Sequence, residues 1–163
     1  MMAIAYRDEG DNASSLATLD KVLTREPRPA DVHMHDPDKL NFLATVYTER
    51  SLTSAVAGQY DDAMTDAAKA LELAPGDDAR FRQSRAYALT AQGLADFKTN
   101  NFAATASDCN AAFELNPKAW GALYLRGVAK KRLGDTAGDE DIATALQADP
   151  QIADNFARYG VLR

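Results

Sequence analysis

The amino-acid sequence predicts an all-α chain, with about four helix-turn-helix hairpins stacked in order and a C-terminal helix closing the stack. Three observations carry this prediction. Four prolines, Pro27, Pro75, Pro117 and Pro150, each follow an apolar helical stripe of the same pattern. A short loop bearing Gly or Asn precedes each stripe, and a further apolar-periodic segment precedes each loop. Repetition of this kind outranks local propensity as a guide to fold, because such units bury their apolar faces only by stacking.

The stripes align when counted back from the prolines. Four residues before them stand Leu23, Leu71, Phe113 and Leu146, and five before stand Val22, Ala70, Ala112 and Ala145. Eight before are Leu19, Ala67, Cys109 and Ile142, and twelve before are Ser15, Ala63, Thr105 and Gly138. These offsets fall on one side of a helix of about 3.6 residues per turn. The last set is small in every copy, which predicts that a neighbouring backbone comes close there. Proline lacks an N–H and disfavours helix in the residue before it, so it ends each unit. Asn12, Tyr60 and Phe102 lie fifteen residues before the first three prolines, where the chain enters the second helix; the fourth copy has Asp135 there and is one residue tighter.

The first helices carry Ala3 and Tyr6; Val46, Tyr47 and Leu52; Leu89, Gly93 and Phe97; and Leu123, Gly127 and Leu133. The loops that follow them are Glu9-Gly10-Asp11, Ala57-Gly58-Gln59, Thr99-Asn100-Asn101 and Leu133-Gly134-Asp135. Gly or Asn in each suits the left-handed residue that closes a helix.

This pattern resembles the tetratricopeptide repeat, a helix-turn-helix unit of about 34 residues. The matching stretch is clearest from Gly58-Gln59-Tyr60-Asp61-Asp62-Ala63 through Ala67, Ala70-Leu71 and Pro75, and it recurs from Phe102 to Pro117. Gly127, Gly134 and Pro150 mark the last copy; Ala3, Tyr6, Gly10 and Pro27 mark the first. The resemblance implies one TPR-like α-α superhelix, or solenoid, over 1–163. Its repeats would fall at about 1–29 (truncated), 38–77, 78–118 and 119–150, with a cap helix at about 151–160.

The chain departs from the family in two places. Successive prolines are 48, 42 and 33 residues apart rather than evenly spaced. An insertion at 28–38 leads into Asp36-Pro37-Asp38, an N-cap followed by proline at the first helical position. Two long first helices, over about 38–57 and 77–98, are therefore expected to project beyond the stack with contacts of their own. The N-terminal hairpin also lacks its opening turn, which leaves an edge that is frayed, paired with another chain, or continuous with a longer array. At the other end, Ile152, Phe156 and Tyr159 share one face of the expected cap helix, predicted to pack on Leu146 and the preceding helix.

Composition narrows the function. Apolar residues make up 46% of the 163 residues, enough for a core. The net charge of −6 argues against a general nucleic-acid surface and against docking on anionic membranes. No run of about 18 apolar residues is present, so no membrane insertion is expected. The single cysteine allows no internal disulfide. Residues 1–8 do not read as a signal peptide, so the expected location is cytoplasmic, or periplasmic or secreted if a targeting segment has been removed.

Few residues suggest chemistry. His33 and His35, beside Asp36, would need further donors to hold a metal, and an exposed loop is the favoured reading. Cys109 occupies a core position of its stripe, where a free thiol behaves as a small hydrophobe. Asp61-Asp62 and Asp139-Glu140-Asp141 fall in first helical turns, where the helix dipole favours carboxylates. Lys130-Lys131-Arg132 falls in a last turn, where it favours cations, with contact to an acidic peptide as the alternative. No cofactor, metal site or catalytic residue is assigned.

The resemblance implies that first helices line a concave face that holds a protein or peptide. Placed in register, the partner-contacting residues are Thr48 and Leu52, with Ala55; Thr90, Leu94 and Phe97; and Tyr124, Val128 and Lys131, with Ile4 and Asp8 in the truncated copy. The Lys and Asn clamp that some members use for a C-terminal carboxylate is replaced by Thr48–Leu52 and Thr90–Leu94. The expected function is a non-catalytic protein-protein interaction scaffold. The alternatives are a self-associating module, a homo-oligomer through the truncated repeat or long helices, and a regulatory appendage of a larger protein.

Overall fold

A computed structural model describes residues 10–25, 36–74 and 79–162. Among them the chain is all-helical, with eight α-helices and no strand. They are α1 (Asn12–Arg25), α2 (Pro37–Ala57), α3 (Tyr60–Leu73), α4 (Arg82–Lys98), α5 (Phe102–Leu115), α6 (Trp120–Arg132), α7 (Gly138–Ala148) and α8 (Ile152–Arg158). Pro27, Pro75, Ala3, Ile4, Tyr6, Asp8, His33 and His35 lie outside the described residues.

Helix ends follow the expected local chemistry. The Asp36 carboxylate accepts the N–H groups of Asp38 and Lys39 at 3.2 and 3.3 Å ahead of Pro37, a cap worth about 1 kcal/mol. Asp11 accepts the Ser14 N–H at 3.0 Å in front of α1. The four loops flagged in the sequence each hold a left-handed residue, with φ of +84° at Gly10, +83° at Gly58, +64° at Asn100 and +81° at Gly134. At Gly58 the reversal lets the Gln59 N–H reach Ser54 O at 2.8 Å, which satisfies a carbonyl the helix end leaves open. Before Pro117 and Pro150 the chain is extended at Asn116 and Asp149, as a residue preceding proline should be.

Helices pack mainly on their sequence neighbours. α2 pairs with α3, α4 with α5, and α6 with α7. The first helices also form a row, α4 against α2 and α6 against α4, and each lies against the preceding second helix, α4 on α3 and α6 on α5. α1 packs on α2, and α8 packs on both α6 and α7.

The expected close approach occurs within each pair. Ser51 Oγ donates to Ala63 O at 2.7 Å, Thr105 Oγ1 to Gly93 O at 3.2 Å, and a Cβ on Gly127 would lie 2.7 Å from Gly138 O. Ser15 is equally buried and bonds to Thr53 of α2 through their hydroxyls at 3.3 Å.

The long helices need correction. The first is present as Pro37–Ala57, but its start does not project freely. Leu40, Leu43, Ala44 and Tyr47 pack with Leu23, Leu73, Ala74 and Phe81 in a cluster of their own. The second is not continuous: α4 begins at Arg82, behind a 3-10 turn at Ala79–Phe81. The tighter turn carries the Phe81 ring into that cluster, 2% exposed, and burying such a ring is worth about 1.5–3 kcal/mol. A larger core extends from the end of α2 through α4–α7 to the tail and includes Leu94, Cys109, Leu125, Val128, Ile142 and Val161.

Candidate functional site

The row of first helices separates the residues singled out in the sequence. Thr48, Leu94, Phe97, Tyr124 and Val128 are buried, at 3, 1, 6, 1 and 1% exposure, as is Ala55. Leu52 and Thr90 are half-buried, and Lys131 is exposed. Burial has identifiable causes. Leu94 joins the core with Leu123 and Leu125, Phe97 packs edge-on against Phe102 of its own hairpin with ring centres 5.2 Å apart, and Tyr124 lies under Phe156 at 5.3 Å. The Thr48 and Thr90 hydroxyls donate to the carbonyls of Ala44 and Ala86 in their own helices, both at 2.8 Å. Lys131 Nζ sits 2.6 Å from Asp139 Oδ1.

What this face leaves open is a cleft of about 350 Å³ bounded by α4, α6 and α8. Tyr87 and Thr90 form one wall, Trp120 and Gly121 lie at the start of α6, and Asn155 and Phe156 lie on α8. Lys118 and Asp149, in the loops before α6 and α8, also line it, and no residue of α3, α5 or α7 contributes to it. Tyr87 stands 48% exposed at its rim, and its hydroxyl accepts from Gln83 Nε2 at 3.1 Å. Gly121 contributes by being small: a Cβ there would touch the Phe156 ring at 3.4 Å. Sequence reasoning reached Thr90 but missed Tyr87, which lies three residues earlier on the same helix face.

A larger cleft of about 540 Å³ lies between α1, α2 and α3, with Asp20, Arg50, Asp62 and Asp66 in its lining. Its cation is engaged by two of its carboxylates. Arg50 grips Asp66 through two bonds of 2.7 Å and reaches Asp20 at 2.7 Å. The bonds to Asp66 hold the guanidinium well above its ordinary range. Arg126 repeats the device, with bonds of 2.8 and 2.6 Å to Asp141 and one of 2.6 Å to Asn110. Burial alone would raise Asp141, but Arg126 and Lys130 outweigh it and hold the carboxyl below the usual range.

The middle hairpin breaks this pattern. Asp108 occupies the position of Asp66 and Asp141, nine residues before a proline, but Gln92 stands where the others have Arg50 and Arg126. Burial, then the adjacent charge of Asp96, pushes the Asp108 carboxyl up to about 6, and burial raises Asp96 as well. Asp108 Oδ2 is buried with no hydrogen-bond partner. The signal was present in the sequence as Asp at one fixed offset in three copies, but an alignment confined to apolar positions does not reveal it.

The remaining candidates resolve simply. Cys109 is fully buried, and burial pushes its thiol far up, which suits packing and not nucleophilic attack. Asp61 and Asp62 begin α3, and Asp139, Glu140 and Asp141 begin α7. Lys130 pairs with Asp141 at 2.8 Å, and Arg132 donates to Leu162 O at 3.2 Å, so the basic run at the end of α6 is engaged within the fold. Among the described residues, no helix is long and apolar enough to cross a membrane, and no group of three or more His, Cys, Asp or Glu is placed to hold a metal. Comparison with known proteins matches no family model and no curated sequence.

Proposed function

We infer that the chain is a non-catalytic protein-protein interaction scaffold of the tetratricopeptide-repeat type, whose row of first helices takes a peptide or protein segment. The repeated hairpin pattern supports the superhelical reading, and the cleft at Tyr87 carries the binding reading. An exposed tyrosine lines the same cleft as Thr90, Gly121, Ala122 and Phe156. An amphipathic aromatic at the edge of an apolar depression is the kind of group on which peptide recognition concentrates, because it buries area while keeping a polar tip wet. Leu52, Thr90 and Lys131 remain as secondary contacts in this reading.

A photo-reactive residue installed at Tyr87, with Ala143 on α7 as the control site, tests it in cells. The reading expects a discrete protein adduct from position 87 that position 143 does not give. Identical adduct patterns from the two positions overturn it.

A further inference from the structure

We propose that residues 152–162 are a self-docked peptide, an internal ligand that fills the end of the partner-binding face and, while docked, walls the neighbouring Tyr87 cleft; a segment of similar chemistry takes its place only when it lifts off, and this rests on the scaffold reading above. The segment is seated as a bound peptide would be. Phe156 packs on Tyr124 and into the space left by Gly121, Tyr159 meets Phe156 edge-on at 5.9 Å, and Val161 is 1% exposed in the main core. Beyond α8 the chain reverses at Gly160, with φ +74°, so that the Val161 N–H bonds Phe156 O at 3.0 Å.

Two cations from the first-helix row then grip its backbone. Lys98, at the end of α4, donates to Tyr159 O at 2.9 Å, and Arg132, at the end of α6, donates to Leu162 O at 3.2 Å. Charge-assisted bonds to main-chain carbonyls ask nothing of the side chains they hold, so they would serve any peptide laid in the same place. Specificity would come from the Phe156, Tyr159 and Val161 spacing, one aromatic in a short helix and one in the turn that ends it, followed by a β-branched residue. Two features favour release. α8 has only seven residues, and the open cleft of about 350 Å³ lies between it and α4, so the segment is incompletely packed on that side.

The test uses the full chain and a labelled synthetic peptide spanning Ile152 to Arg163. Weakening the internal copy frees the site, so the Phe156→Ala chain should bind the probe about ten-fold more tightly than the unaltered chain, and a probe lacking its own phenylalanine should not bind. Equal affinity of the two chains overturns the proposal. If Phe156→Ala does not fold, hydrogen exchange on the unaltered chain decides. The amides of 155–162 should exchange about 100-fold faster than those of 123–129 in α6, and equal rates overturn it. Adduct formation at Tyr87 is read independently, so the lid can fail while the scaffold reading stands.

Discussion

Gly127 of α6 and Gly138 of α7 cross so closely that a Cβ on Gly127 would lie 2.7 Å from the carbonyl oxygen of Gly138 and 2.8 Å from Ile142 Cγ1. Backbone cannot yield as a flexible side-chain end can. Gly127→Ala should therefore destabilise the fold by about 1–3 kcal/mol, after the better helix propensity of alanine is set against the overpacking. At roughly 2–4 °C per kcal/mol for a chain of this size, a thermal melt followed by circular dichroism should show a fall of several degrees. No change in midpoint would mean that the two helices do not cross there.

Asp141 takes three bonds from Arg126 and Lys130 in a largely buried setting, with the Arg126 and Asp141 side chains 14% and 10% exposed. Removing it leaves the half-buried Arg126 guanidinium with Asn110 as its bonded side chain and strips Lys130 of this ion pair. Asp141→Ala should cost about 3 kcal/mol by denaturant unfolding. Glu72, exposed and paired with Lys69 on the surface, is the contrast: Glu72→Ala should change stability by less than about 0.5 kcal/mol.

The Asp96–Asp108 pair makes stability depend on pH with a definite sign. The Asp108 value is raised in the fold to about 6, so the folded state holds a proton that the unfolded chain releases near 4. Its contribution is present below about pH 4 and is lost as pH rises through 6. Asp108→Asn cannot ionise, so the variant should melt above the unaltered protein at pH 7.5, and the gap should narrow on acidification to pH 5. A gap that is constant across that range would show that the carboxyl titrates normally.

Tyr87 and Leu94 separate surface from core along α4. Tyr87→Glu should leave the melting midpoint within about 2 °C, because a half-exposed side chain carries little of the core. Leu94→Glu puts a carboxylate at a site 1% exposed and should prevent folding or lower the midpoint by more than about 10 °C. The reverse ranking would mean that the helix presents its other side to the binding face.

Apolar order was readable from residue spacing and contact depth was not. The stripes before the prolines locate α1, α3, α5 and α7, and the four left-handed loop residues mark their starts, because both are local demands on a helix. The small residues Ala63, Thr105 and Gly138 even foretold the tight crossings. Which first-helix side chains stay open depends on what lies over them, and that is a tertiary fact. Tyr124 reads as a groove residue until Phe156 covers it, and Phe97 until Phe102 meets it. The 3-10 turn at Ala79–Phe81 was missed because the sequence pattern continues as a helix, while burial of Phe81 favours the tighter path.

The apolar clusters are unequal, and this has a consequence for cooperativity. The main one ties α4–α7 to the tail, whereas α1 is held by Leu19 against Val46, with Val22 and Leu23 at its margin. In an array stabilised chiefly by adjacent units, such a gradient lets disorder advance from the weak end while the strong end persists. Heating should then give a calorimetric transition broader than a single all-or-none step, with the amides of α1 losing protection before those of α2–α7 and the α6–α7 pair serving as the last template on which the others can re-form.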